Sequence, residues 1–282
     1  MTQTTHNPFF FSYNTPFETP PFNEIKNEHF EPAFDEGIKR LDSEVQAIAN
    51  DTQPATFENT IIALERSGKL LNKVSLAFFN ILNAEADDEM MEISQRISPK
   101  LSESSNNIFL NEKLFARVKN VYEQKDRLNL STEDTKLLEE TFESFSVRGA
   151  NLNPEDKEKY RKLSTDQSVL SLRFDQNALK DKNRYELLLT DEKDLSGLPE
   201  SICEAAALRA KEKGKKGWLF NLTAPSYIPF MRYADSRKLR ETMYREYMSV
   251  GNKGDEYDNK EIIRQIINIR LEIARLMGYN TY

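Results

Sequence analysis

Few residues in this chain have both the type and the spacing for chemistry. The histidines are His6 and His29 alone, and they do not stand at metal-ligand spacing from one another. No metal ligand and no catalytic residue is therefore assigned. Cys203 is the single cysteine, within Ile202-Cys203-Glu204-Ala205-Ala206-Ala207. One thiol forms no internal disulfide, and with no histidine near it in sequence it reads as a packed core residue. The basic run Lys211-Glu212-Lys213-Gly214-Lys215-Lys216-Gly217 has glycines that suggest phosphate binding, but it lacks the strand-loop-helix order of a P-loop. It reads as a solvated turn. The most generous candidate is the loop Gly251 to Tyr257, where two glycines allow unusual backbone angles and Asn252, Lys253, Asp255 and Tyr257 offer polar reach. These four are candidates for the border of a binding cleft; the plainer reading is a helix connector capped by Asp258. Tyr227, after the Thr223-Ala224-Pro225-Ser226 turn, is a fifth candidate on the same reasoning.

The elements that must position these residues are mostly helical. The 282 residues are 38% hydrophobic and 30% charged, with 9 Gly and 11 Pro, which favours long salt-laced helices and can bury a sizeable core. Residues 1–31 read as an extended arm rich in aromatics and proline, with Phe9, Phe10, Phe11, Tyr13, Phe17 and Phe22 among Pro8, Pro16, Pro20 and Pro21. Burying a large apolar side chain is worth roughly 1.5–3 kcal/mol, so the arm is expected to wrap against the body. The body, residues 32–282, is read as one mainly helical region.

Within it, Phe34, Ile38, Leu41, Val45 and Ile48 form a helical stripe from Pro32 to near Asn50. A second helix is expected from Thr56, its cap, through Phe57, Ile61, Leu64, Leu71, Phe78 and Leu82, with Gly68 tolerated inside. Ser131 with Asp134, and Asn153 before Pro154, mark further starts, of helices running towards Glu143 and Asn177. Tyr185 to Thr190 and Trp218 to Thr223 read as short strands around a helix from Pro199 to about Lys211, an arrangement open to a crossover sheet. Asp235 is expected to cap the next helix, and Asp258 with Glu261 the last, whose Ile262, Ile266, Ile269, Ile273 and Leu276 stripe is widened by Ile263, Ile267 and Leu271. So broad an apolar face needs cover on two sides. With little sequence after Gly278 to supply it, the pattern fits a chain cut rather than finished, its last helix exposed or self-associating, and equally a helix covered by earlier ones; exposure or self-association is the expectation.

Lys+Arg 39 against Asp+Glu 46 gives a net charge of −7, which opposes attraction to phosphate backbones or anionic lipid, so no nucleic-acid and no membrane partner is expected. No apolar run approaches the roughly 20 residues of a membrane span. Met1 to Pro8 is not a basic-then-apolar signal peptide, and a cytoplasmic location is expected.

Two stretches carry a family resemblance: Pro20 to Phe34 (PPFNEIKNEHFEPAF) and Thr56 to Gly68 (TFENTIIALERSG). Pro99-Lys100-Leu101, Gly149 to Leu152, Gly251 to Asn259 and Leu276 to Tyr279 follow in order. Together they resemble the amino-terminal part of zinc oligopeptidases of the thimet oligopeptidase and bacterial dipeptidyl carboxypeptidase family. The resemblance implies a mainly α fold with a small β element, truncated here before the catalytic zinc domain. It also implies that this chain forms a non-catalytic wall of the cleft in a peptidyl-dipeptidase acting on short peptides. Zinc would belong to the full-length enzyme and none to this chain, because the family's His-Glu-x-x-His helix has no counterpart here. The partners implied are the missing catalytic half and peptide substrates. The alternative is a stand-alone helical scaffold or interaction module without catalysis, which leaves the ordered motifs unexplained.

Overall fold

A computed structural model of the chain describes residues 7–85 and 87–282; His6 lies outside them. It divides into two compact units, Met1–Val169 with Asn268–Tyr282, and Leu170–Ile267.

In the first unit, α1 (Asn27–Ala49) starts five residues before Pro32. The stripe extends one turn back through Phe30, which like Phe34 is fully buried. The start is fixed by His29, whose Nδ1 accepts the Lys26 backbone N–H at 3.0 Å. The expected second helix is instead two pieces. Thr56 caps a π-helical turn, Phe57–Ile62, that runs into the short α2 (Ala63–Glu65). Gly68 then takes a φ of +72°, a left-handed turn that ends the run, and donates its N–H to Glu44 Oε2 at 2.7 Å. The chain restarts as α3 (Lys69–Glu85) and continues through α4 (Asp88–Phe109), α5 (Glu112–Glu123) and α6 (Thr132–Val147). Ser131 caps α6 as expected, its Oγ accepting the Asp134 N–H.

Two apolar clusters hold this unit. Phe9, Phe30, Phe34, Val74, Phe78 and Ile97 join the arm to α1, α3 and α4, with Phe78 edge-on to Phe30 and Phe34 at 5.0 and 5.4 Å. Val45, Ile61, Leu114, Val118, Leu138 and Phe145 form the other, between α1, α5 and α6. The arm itself holds two single 3-10 turns, Pro8–Phe10 and Pro16–Glu18.

α7 (Pro154–Arg184) runs seven residues past Asn177 and contributes to both units. In the second unit, β1 (Leu187–Leu189) is followed by α8 (Glu200–Glu212) and β2 (Trp218–Phe220). The strands pair antiparallel, Leu188 opposite Leu219, so the sheet is no parallel crossover: the connection through α8 returns to the end it left. Leu189, Phe220, Leu222, Phe230 and Met243 make the core here.

α9 (Ala224–Tyr233) and α10 (Arg237–Met248) follow. The cap of α10 is Ser236, not Asp235, whose carboxylate accepts the Ser196 hydroxyl at 2.6 Å instead. α11 (Lys260–Leu276) begins where Asp258 accepts the Lys260 N–H at 3.0 Å; Glu261 pairs with Arg264 rather than capping. Ile262 and Ile273 are buried, while Ile263 and Ile267 are 43% and 59% exposed. The described residues are thus mainly α with one two-stranded sheet.

Candidate functional site

Four of the five predicted site residues lie on one loop, and a buried carboxylate at the end of α7 organises it. Asp181 is fully buried. Its Oδ2 accepts the Gly251 N–H at 2.7 Å, and its Oδ1 takes Arg184 Nε at 2.8 Å and Lys253 Nζ at 3.2 Å. A buried carboxylate is tolerated when cations and donors surround it, and Asp181 has both. Gly251 meets it with a φ of +69°, and a Cβ there would stand 3.0 Å from Asn259 Nδ2.

Two cations spread the network outward. Lys253 Nζ also reaches Glu246 Oε2 on α10 at 2.9 Å. Burial pulls the Lys253 ammonium towards deprotonation, but the hydrogen bonds to Glu246 and Asp181 outweigh it and the pKa ends above the ordinary lysine value. Arg184 hydrogen-bonds Asp255, whose carboxyl it holds below the usual range, and its guanidinium lies 4.9 Å from the Tyr257 ring centroid. Asn259 shuts the loop: its N–H donates to Gly251 O at 2.7 Å, its Nδ2 to Phe174 O at 3.0 Å, and its Oδ1 accepts Asn177 Nδ2 at 3.0 Å.

Lys253, Asp255 and Tyr257 are therefore brought together around Asp181 and Arg184. Asn252 stands apart, accepting Lys260 Nζ at 3.0 Å. Tyr227 sits in the first turn of α9 rather than in a free turn, stacked on Tyr247 at 4.2 Å and 14°, with burial pushing its hydroxyl pKa up. Glu246 and Tyr247 are consecutive, so α10 touches Lys253 with one and Tyr227 with the other. Sequence reasoning missed Asp181, Arg184, Glu246 and Asn259. The run Lys180-Asp181-Lys182-Asn183-Arg184 reads as a solvated helix end, and the Asp-to-Arg spacing of three was the one signal it held.

The carboxylates of this network are engaged by cations and backbone donors, which suits fixing a loop rather than moving protons. Among the described residues no group of three or more His, Cys, Asp or Glu stands together as metal ligands. His29 spends Nδ1 on the α1 terminus. Burial raises the Cys203 thiol pKa, and Glu200 adds to it, the opposite of nucleophile activation. The basic run is not merely solvated: Lys213 and Lys215 both pair with Glu186.

The chain is 35% identical over 280 residues, 99% of its length, to dipeptidyl carboxypeptidase of Escherichia coli. It is 30% identical to oligopeptidase A of the same organism over 95% of the chain, and 30% identical to a probable cytosolic oligopeptidase A of Arabidopsis thaliana over 94%. It spans only about two fifths of these relatives' lengths: 41%, 40% and 39%. No protein-family model matches. No helix among the described residues is long and apolar enough to cross a membrane.

Proposed function

We propose, for a chain that belongs with the amino-terminal part of the dipeptidyl carboxypeptidase and oligopeptidase A family, that it forms a non-catalytic wall of the substrate cleft in a peptidase hydrolysing short peptides. The observation that carries the reading is the match across 99% of the chain to a relative more than twice as long. Zinc would supply the hydrolytic chemistry in the whole enzyme, held by residues outside this chain.

Within that reading, the loop Gly251–Asn259 is the part of the wall that meets peptide. Lys253, Asp255 and Tyr257 are held by Asp181 and Arg184, so they would contact a substrate without first being ordered, which reduces the entropy cost of binding. Asn252, which accepts Lys260 Nζ, and Tyr227, stacked on Tyr247, are the further candidates for peptide contact. The location proposed is cytoplasmic, as the name of the plant relative says of that protein.

The test compares peptide hydrolysis by the protein carrying the length its relatives have with hydrolysis by residues 1–282, each with and without a chelator. Chelator-sensitive release of dipeptides from free carboxyl ends by the longer protein alone is expected. Hydrolysis by the 282-residue chain, or none by the longer one, would defeat the reading.

A further inference from the structure

We propose that the solvent side of the amino-terminal arm, centred on Phe17, is a preformed docking element for the remainder of the longer peptidase; this rests on the reading above, that such a remainder exists. The arm has an anchored side and an open side. On the anchored side, Asn7 Nδ2 donates to His29 O at 2.8 Å, and buried Phe9 packs 5.3 Å from Phe30. Lys73 Nζ donates to Phe9 O and Phe11 O at 3.2 and 2.6 Å and lies 3.6 Å from the Tyr13 ring centroid.

On the open side, Phe17 is 99% exposed and Phe22 54%. Phe17 and Glu18 are consecutive non-glycine residues with φ of +59° and +54°. A bulky residue in that region is an outlier that persists only where its surroundings impose it. The turn is closed by its own hydrogen bonds, Glu18 N–H to Thr15 O at 3.0 Å and Thr19 Oγ1 to Pro16 O at 3.0 Å, and it holds the Phe17 ring outward with solvent on nearly every side. Pro16, Pro20 and Pro21 flank the turn and restrict its relaxation. An aromatic held outward on an anchored, stiffened turn has already met part of the ordering cost of an interface, and buried aromatics of this kind carry much of an interface's energy.

Two observations select the occupant. The relatives continue well past the matched region, this chain covering 41% and 40% of them, so most of such a protein lies outside these residues. A second copy is disfavoured because the chain carries a net charge of −7 and the copies would repel.

The experiment places the photo-crosslinker p-benzoylphenylalanine at position 17 of the protein carrying its relatives' full length, with the same group at exposed Leu76 as control. An adduct within one molecule, joining position 17 to a residue after Tyr282, is expected. An adduct between two copies, one confined to residues 7–282, or none at all overturns the proposal. Phe17→Ser should lower the unfolding midpoint of that longer protein and leave residues 1–282 unchanged; equal effects on both would also overturn it. Peptide hydrolysis by the crosslinking protein is read separately, so loss of the docking and loss of the peptidase reading are distinguishable.

Discussion

Asp181 and Gly251, seventy residues apart in sequence, meet through a 2.7 Å hydrogen bond from a backbone N–H to a fully buried carboxylate. The same carboxylate holds Arg184 and Lys253. Removing it leaves two cations and an amide N–H without their shared acceptor. Arg184 keeps Asp255 and Lys253 keeps Glu246, so the loss is that of hydrogen bonds to a charged group, about 1.5–3 kcal/mol. Asp181→Ala should lose stability on that scale in urea unfolding, and Asp181→Asn, which keeps an acceptor for Gly251, should lose less. Equal losses would mean that charge rather than the Gly251 bond dominates.

Gly251→Ala tests the other end of that bond. Its left-handed φ penalises an alanine by roughly 1–2 kcal/mol, and the new Cβ would press on Asn259 Nδ2 at 3.0 Å. Asn259 cannot retreat freely, because it is tied to Phe174 and Asn177. The variant should therefore lose at least the strain cost and show faster amide exchange across residues 251–259. Gly254→Ala, with φ of +72° and nothing within 4 Å of its Cβ, should lose the strain cost alone. Matching losses would argue against the crowding at Asn259.

These two variants also mark what the sequence could and could not disclose. The loop was legible because paired glycines and the Asp258 cap are local signals, as were the Ser131 cap and both strands. Asp181 was not, because its burial depends on Gly251 and Lys253 arriving from far along the chain. Pro32 hid the first turn of α1, where buried Phe30 precedes Phe34 by four residues. Gly68 reads as tolerable inside a helix because periodicity carries no φ, and the structure uses it to stop one. Asp235 reads as the cap because nothing local shows that the Ser196 hydroxyl takes its carboxylate and that Ser236 caps instead.

Glu261 gives a direct electrostatic prediction. Hydrogen bonds from Arg264 and Gln265 hold its carboxyl down to about 2, against an ordinary value of 4.5. A folded-state value below the unfolded one means the folded chain binds fewer protons between them. The contribution is present above the ordinary carboxylate range and fades as pH falls from 4.5 towards about 2. A carboxyl-carbon NMR titration should place the Glu261 midpoint well below the other exposed glutamates, and Arg264→Gln should move it back up. A midpoint near 4.5 in the unmodified chain would rule out the Arg264 contact in solution.

The arm makes the last prediction, because its anchoring can be weakened at a single side chain. Lys73 has no carboxylate partner among the described ion pairs; its ammonium is satisfied by two arm carbonyls and the Tyr13 face. Burial consequently draws its pKa below the ordinary lysine value. Lys73→Met keeps most of the apolar stem and removes the donors. Hydrogen bonds from a charged donor are worth about 1.5–3 kcal/mol at most, and this one is partly exposed, so a loss of about 1–2 kcal/mol is expected. That corresponds to roughly 5–30-fold faster opening. It should be read at the Phe10 and Phe11 amides, which donate to Asn7 O and Pro8 O within the same turn. Amides in the centre of α1 should be unaffected, because Phe30 and Phe34 keep their packing on Phe78 without the arm. If exchange rose equally in the arm and in α1, Lys73 would be supporting the whole first cluster rather than fastening the arm to it. If neither changed, Phe9 burial alone would suffice to hold the arm, and Lys73 would contribute nothing to presenting Phe17.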